Sequence, residues 1–408
     1  MDNFIQTKAA ILKESIRRAN EFDLDAAHAD DAMFRKKTEL MLKVILKDGG
    51  FVLSQDEKEE VLSEVISYFL GLGPIEALLK DPDIAEIMVN GPNEIYVERA
   101  GKLYLSDVKF KDEAQLFYYL EKILAPVGRR VSEYEPYVDA RLKDGSRANI
   151  VRSPVSSVGP LLTIRKFPCL ALGPQDLINS STLNGLTKEF LEACVISRLN
   201  ILISGGAGSG KTTLLNVLAS FIPVEERIIV IEDTRELCLK DKHVVFLTTR
   251  PANIEGKGEI TIRNMVKNAL HMRPDRIIIG EVRSDEVLDM VQAMNTGHDG
   301  SMTTLHANSP LEALDRLEIL TLMGMVNMSS EVAKRQIINA VDLIIHMSRF
   351  PDGSRKIISV VEILKDKEYS TKEILSFDEA AGGLRCTGNL PAFSQKLNKK
   401  SGYVFPAI

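Results

Sequence analysis

Apolar residues recur at helical spacing through the first fifty positions, as in Ile5, Ala9, Ile11 and Leu12 and again in Met41, Val44 and Ile45. Residues 1–52 are therefore expected as a helical N-terminal extension. Residues 57–70 continue as a helix that breaks at Gly71-Leu72-Gly73-Pro74, and another runs through Leu79. The period then changes to that of strands. Residues 84–89 and 94–98 flank the turn Asn90-Gly91-Pro92-Asn93, residues 102–105 suit a third strand, and residues 112–127 return to helix. Asp144-Gly145, set between residues 139–142 and 147–151, predicts a hairpin, with a further strand over residues 161–164. These elements make an α+β domain over residues 53–168, and residues 169–178 read as a linker.

From residue 179 to residue 390 the pattern is that of an α/β domain. Residues 201–203 form an apolar run that ends in a glycine-rich turn, followed by the helical spacing of Leu214, Leu215, Val217 and Leu218. Residues 228–231 and 277–279 are wholly apolar and so suit buried strands, and residues 301–305 suit a third. Residues 311–347 read mainly as helices, and 349–362 as a hairpin turning at Asp352-Gly353. Beyond Lys365 the signal weakens, and residues 391–408 are expected as a C-terminal tail.

The glycine-rich turn carries chemistry. Gly205, Gly210, Lys211 and Thr212 fill the fixed positions of G-x-x-x-x-G-K-[ST] between a strand and a helix. Gly206, Ala207, Gly208, Ser209, Gly210, Lys211, Thr212 and Thr213 are accordingly expected to bind nucleotide. Backbone N–H groups would turn inward around the β-phosphate, Lys211 would reach the β/γ oxygens, and the Thr212 hydroxyl would ligate Mg²⁺ at the positive end of a helix dipole. Strands of open α/β sheets present ligands at their carboxyl ends. Glu232, Glu281 and His306 lie at or just beyond three such ends, where one carboxylate can orient an attacking water, the other can hold the waters of Mg²⁺, and the histidine can bond the γ-phosphate. The activity this predicts is ATP hydrolysis. Upstream, Arg129, Arg130, Arg141, Arg147, Arg152 and Arg165 are dense enough for some to neutralise phosphate from outside the loop.

Composition narrows the rest. A formal net charge of −6 supplies no global basic field, so direct nucleic acid contact is not expected. Cys169, Cys194, Cys238 and Cys386 form no C-x-x-C pair and read as reduced thiols of a cytoplasmic protein. Charged residues interrupt the first 25 positions, unlike a signal peptide, and no run of about 18 apolar residues occurs, so any membrane contact is expected through partners.

The motifs together resemble the secretion or traffic ATPases of type II and type IV secretion and type IV pili, above all the CpaF-like motors of tight-adherence (Tad) pili. Residues 231–237, Ile-Glu-Asp-Thr-Arg-Glu-Leu, look like the family's Asp box, residues 272–283 like its Walker B segment and residues 297–308 like its His box. Similarity continues upstream through Gly71-Leu72-Gly73-Pro74, Met88-Val89-Asn90-Gly91 and Asp139-Ala140-Arg141-Leu142. His271 stands where close relatives carry Arg, and no tetracysteine insert follows Walker B, which points to the Tad or archaeal-like branch.

The resemblance implies a RecA-like C-terminal ATPase domain behind a smaller α+β domain, assembled as a homo-hexamer with ATP and Mg²⁺ between the two domains. It implies a motor at the cytoplasmic face of the inner membrane that acts on polytopic platform proteins, adding or removing pilins. Carried over by motif, Glu232 and Glu281 serve the water and magnesium, with Glu281 reaching the metal through water, and His306 senses the γ-phosphate. Arg147, Arg165 and Arg283 match arginines that approach the phosphates, and Arg141 matches less closely. Two rival readings share the core: a nucleic-acid motor serving DNA transfer, and a scaffold in which nucleotide only regulates assembly.

Overall fold

The chain divides into two units, residues 1–167 and 168–408. The structure is a computed structural model and describes residues 2–22, 31–99, 101–142, 144–166, 172–252, 256–325, 327–366, 369–380 and 382–406.

In the first unit, helices Asp2–Arg18, Asp31–Asp48 and Gln55–Phe69 share a core that includes Ile11, Phe34, Met41, Ile45, Val61 and Val65. The third begins at a capping box: Ser54 Oγ accepts from the Glu57 N–H, and the Glu57 carboxylate accepts from the Ser54 N–H. Its apolar face is buried with the first two helices, so the helical cluster runs to Phe69 rather than stopping at residue 52.

Six strands follow: β1 (Ile84–Asn90), β2 (Ile95–Arg99), β3 (Lys102–Leu105), β4 (Tyr137–Arg141), β5 (Arg147–Val151) and β6 (Leu161–Arg165). They form an antiparallel sheet in the order β3-β2-β1-β6-β5-β4. Helix Glu113–Leu124 packs Leu116, Tyr119, Leu120 and Ile123 against its apolar side. No single helix among the described residues is long and apolar enough to cross a membrane. Gln55–Phe69 and Gly73–Lys80 reach that length only together, across a bend of 111°.

The second unit is built on nine strands: β7 (Ile201–Gly205), β8 (Ile228–Glu232), β9 (Val244–Thr248), β10 (Arg276–Ile279), β11 (Met302–His306), β12 (Leu343–Arg349), β13 (Arg355–Ile363), β14 (Thr371–Asp378) and β15 (Gly383–Cys386). Their order is β15-β14-β13-β12-β7-β11-β10-β8-β9, parallel from β12 to β9 and antiparallel from β12 to β15. Alternation along each strand feeds two cores. Ile201, Ile203, Ile228, Val230 and Ile278 face helices Gly185–Ile196 and Lys211–Ser220. Leu202, Ile229, Ile231, Ile277 and Ile279 face helices Ile262–Ala269, Glu286–Asn295, Pro310–Met323 and Ser330–Ala340.

Three parts differ from expectation. Residues 343–347, expected as helix, begin β12, because Leu343, Ile344 and Ile345 are buried on both faces beside β7, and a short apolar run fits either period. Residues 391–408, expected as a tail, hold helix Ser394–Ser401, whose Leu397 is buried in the core, as is Phe405, which packs its ring against Phe190. Of the expected linker, residues 169–171, with Cys169, lie outside the described residues, whereas Pro174–Asn179 is a helix with Leu177 buried in the second unit.

Arg276 opens β10 fully buried. Its Nε donates to Glu226 Oε2 at 2.5 Å, its Nη2 to Val195 O at 2.9 Å and its Nη1 to Gly300 O at 3.3 Å.

Candidate nucleotide site

β7 has β11 on one flank and β12 on the other, so the loop leaving it sits where the strand order reverses, the usual ligand position of an open α/β sheet. A Cβ on Gly205 would run into the Met347 carbonyl oxygen and stand 2.7 Å from Ser209 Oγ, so only glycine allows this approach. Gly206 to Gly210 form the loop, and Lys211 starts the helix that continues through Thr212 and Thr213. Lys211 is buried, with Nζ donating to Gly205 O at 3.0 Å and Gly206 O at 2.8 Å. Burial holds its pKa below the usual lysine value, with Arg283 adding to the effect and Glu281 opposing it. Ser209 Oγ is buried without a partner. The half-buried Thr212 hydroxyl bonds to no described residue.

Lys211 Nζ also lies 3.3 Å from His306 Nδ1. Burial first, then the Lys211 charge, pushes the His306 pKa down, so the ring is neutral near pH 7. A neutral ring that accepts at Nδ1 from an ammonium carries its proton on Nε2. That nitrogen is 2.9 Å from Glu281 Oε1, a buried oxygen that accepts no hydrogen bond. The other oxygen, Oε2, takes Arg283 Nη2 at 2.5 Å, and Arg283 Nη1 stands 3.6 Å from Asp233 Oδ2. Lys211, His306, Glu281 and Arg283 therefore form one connected group.

Glu232 is held apart from that chain of contacts. Its side chain crosses the α-carbon of Gly280, where a Cβ would meet Glu232 Cγ at 2.9 Å. The carboxylate accepts from the N–H groups of Glu236 at 3.0 Å and Leu237 at 3.2 Å. Burial nevertheless raises its pKa to about 7, the backbone donors opposing the shift.

Among the described residues, no three His, Cys, Asp or Glu side chains cluster to hold a metal ion unaided. A hard divalent ion that arrives with nucleotide phosphates needs only one or two protein oxygens. The uncommitted Thr212 hydroxyl and the orphaned Glu281 Oε1 fit that requirement.

In the first unit, Arg141 pairs with Arg147 and Arg147 with Arg165, so the register places the three in one row across β4, β5 and β6. Arg165 also meets Glu86 at 3.4 Å. Four further groups around the loop were not singled out from the sequence. Arg355 Nε donates to Gly208 O at 3.1 Å, and Arg349 stands opposite it. Buried His346 shares a 2.8 Å hydrogen bond with Ser204 Oγ through Nδ1, and Asn216 Oδ1 accepts from the Cys238 N–H at 2.9 Å. The two arginines flanking Asp352-Gly353 were a legible signal, whereas the last two contacts depend on tertiary placement alone.

The sequence profile of the Type II/IV secretion system protein family matches residues 70–378. The chain belongs to this family. Among relatives of this secretion-family chain, Conjugal transfer protein TrbB of Rhizobium radiobacter is 31% identical over 307 residues, covering 74% of this chain and 91% of its own. Type IV secretion system protein VirB11 of Brucella suis biovar 1 is 30% identical over 331 residues, covering 74% of this chain and 92% of its own. A crystal structure of the pilus retraction motor PilT with bound ADP superposes with a TM-score of 0.51 at 20% identity, over 70% of this chain and 80% of that one. That likeness shows the fold, RecA-like with an N-terminal domain. This secretion-family protein is an ATPase and therefore binds nucleotide.

Proposed function

We propose that the chain is a cytoplasmic, CpaF-like motor of a Tad or type IV-like pilus. It works as a homo-hexamer on polytopic platform proteins at the inner membrane and can drive assembly or retraction from one site. The observation that carries the reading is the connected group of Lys211, His306 and Glu281 at the phosphate loop. Residues 206–213 hold the phosphates of ATP, with Lys211 at the β/γ oxygens. Thr212 would ligate Mg²⁺ directly, and Glu281 would hold the ion through water. Magnesium, when bound, neutralises charge on the β- and γ-oxygens. Glu232, with a pKa of about 7, is suited to take a proton from the attacking water near neutral pH. His306 relays the state of the γ-phosphate to Glu281, which Arg283 holds in place. Arg147 and Arg165, with Arg141, are the arginines of the N-terminal unit suited to bind phosphate, set in one row across its sheet.

The test uses the full chain. Lys211→Ala loses nucleotide binding, whereas Glu281→Gln keeps it and slows turnover by about two orders of magnitude. Full ATPase rates in both Glu281→Gln and Glu232→Gln would refute the assignment of the carboxylates. Mass measurement with ATP should find hexamers, and a polytopic protein should copurify from solubilised membranes. A hydrolysing monomer that recovers no membrane protein sinks the motor reading.

The names of TrbB and VirB11 support a second reading, a motor for conjugal transfer or type IV secretion. The identity of the copurifying membrane protein separates the two. ATPase stimulation by DNA that falls steeply with salt would instead make nucleic acid a direct substrate, against the net charge of −6.

A further inference from the structure

The hairpin between β12 and β13 sets Arg349 directly opposite Arg355, the last pair before its turn. Like charges so placed on a sheet destabilise it unless an anion comes between them. Both side chains are exposed and reach the crest of the phosphate loop. Arg355 Nε donates to Gly208 O at 3.1 Å, and Arg349 Nη1 lies 3.6 Å from where a Cβ on Gly208 would stand. No carboxylate answers Arg349, whose side chain makes no hydrogen bond or ion pair with any described residue. Asp352, in the turn between them, is bonded instead to Ser354, whose N–H donates to Oδ1 at 2.8 Å.

Strand order fixes which part of a bound nucleotide this pair would meet. β11 and, beyond it, β10 carry His306 and lead to Glu281 on one flank of the loop, and β12 and β13 carry the arginines on the other. A phosphate chain cradled by loop N–H groups has its γ end at the lysine. That end faces Lys211, His306 and Glu281, so the opposite flank meets the α- and β-phosphates.

We propose that Arg349 and Arg355 form a cationic clamp, supplied by the same chain, on the α/β-diphosphate of the bound nucleotide. This rests on nucleotide being held by the Lys211 loop. Arg349 contacts the diphosphate, and Arg355 fixes the Gly208 peptide while adding its charge. Because ADP and ATP share the α/β-diphosphate, the clamp sets affinity for both. A guanidinium fork suits two phosphate oxygens at once, which an ammonium cannot match.

The experiment titrates the full chain with fluorescent ADP and ATP analogues and measures kcat and KM for wild type, Arg349→Ala, Arg349→Lys, Arg355→Ala and Lys211→Ala. Arg349→Ala should weaken ADP and ATP by the same factor, on the order of tenfold. It should raise KM in proportion, with kcat within about twofold. Arg349→Lys should recover only part of the loss, and Arg355→Ala should follow Arg349→Ala. Unchanged ADP affinity in Arg349→Ala overturns the clamp, as does a loss confined to ATP, which would place Arg349 at the γ end. If Lys211→Ala loses ADP while Arg349→Ala keeps it, the clamp alone fails. If Lys211→Ala binds ADP like wild type, the loop reading fails and takes the clamp with it.

Discussion

In Glu232→Gln, a neutral amide replaces a carboxylate buried at the end of β8 and bonded to two backbone N–H groups. Burial raises the wild-type pKa from 4.5 to about 7, so the folded chain holds this proton more tightly than the unfolded one. The stabilising contribution is full below pH 4.5 and is lost as pH rises through about 7. At about 1.4 kcal/mol for each pH unit between the two values, the loss is about 3 kcal/mol. The glutamine does not titrate. Stability of the variant relative to wild type should therefore climb by about 3 kcal/mol between pH 4.5 and about pH 8, whatever constant offset the new amide brings. For a unit of this size that is about 6–12 °C in the difference between melting temperatures. The assay is thermal melting of wild type and variant across that range, with ATPase rates in parallel. Wild-type kcat should show an acidic limb near pH 7 that Glu232→Gln lacks, at a much lower rate. A melting difference that stays flat with pH would refute the burial argument, and an intact limb in the variant would refute the catalytic one.

Gly280→Ala places a methyl group 2.9 Å from Glu232 Cγ, so the carboxylate must move off its N–H donors. The expected cost is about 1–3 kcal/mol, with kcat reduced and ADP affinity retained; full kcat would show that Glu232 need not sit where it does. Leu397→Ala removes a fully buried side chain and should cost about 2–5 kcal/mol in denaturant unfolding of the full chain, where a mobile tail would show no change.

The phosphate loop and the strands β7, β8, β10 and β11 were legible because their signals are local: glycines at fixed spacing, wholly apolar runs and polar residues at their ends. β12 was not, since three consecutive apolar residues carry no period of their own. The packed C-terminal segment was hidden for a different reason. Helix Ser394–Ser401 is polar and is anchored by Leu397, with Phe405 beyond it, too sparse a pattern to register. The site shows the same division. Glu232 and Glu281 look equivalent as carboxylates beside strand ends, yet one caps its own loop over Gly280 and the other meets His306. That difference is tertiary. The alignment of Arg349 with Arg355 likewise depends on hairpin register, which the Asp352-Gly353 turn only suggested.

Arg276 gives the second unit a length standard. It lies at the margin of the sheet opposite Glu281, five residues away, about 16 Å at the rise of an extended strand. β10 has four residues and so little grip of its own, and the guanidinium fixes where it starts by engaging Glu226, Val195 and Gly300. A slip of one residue would move the acid by about 3.3 Å, more than the 2.9 Å that separates Glu281 from His306. It would also turn Ile277 and Ile279 toward the wrong core. The spacing of acid and imidazole is thus calibrated from the far margin of the sheet, by a side chain that never meets the nucleotide loop.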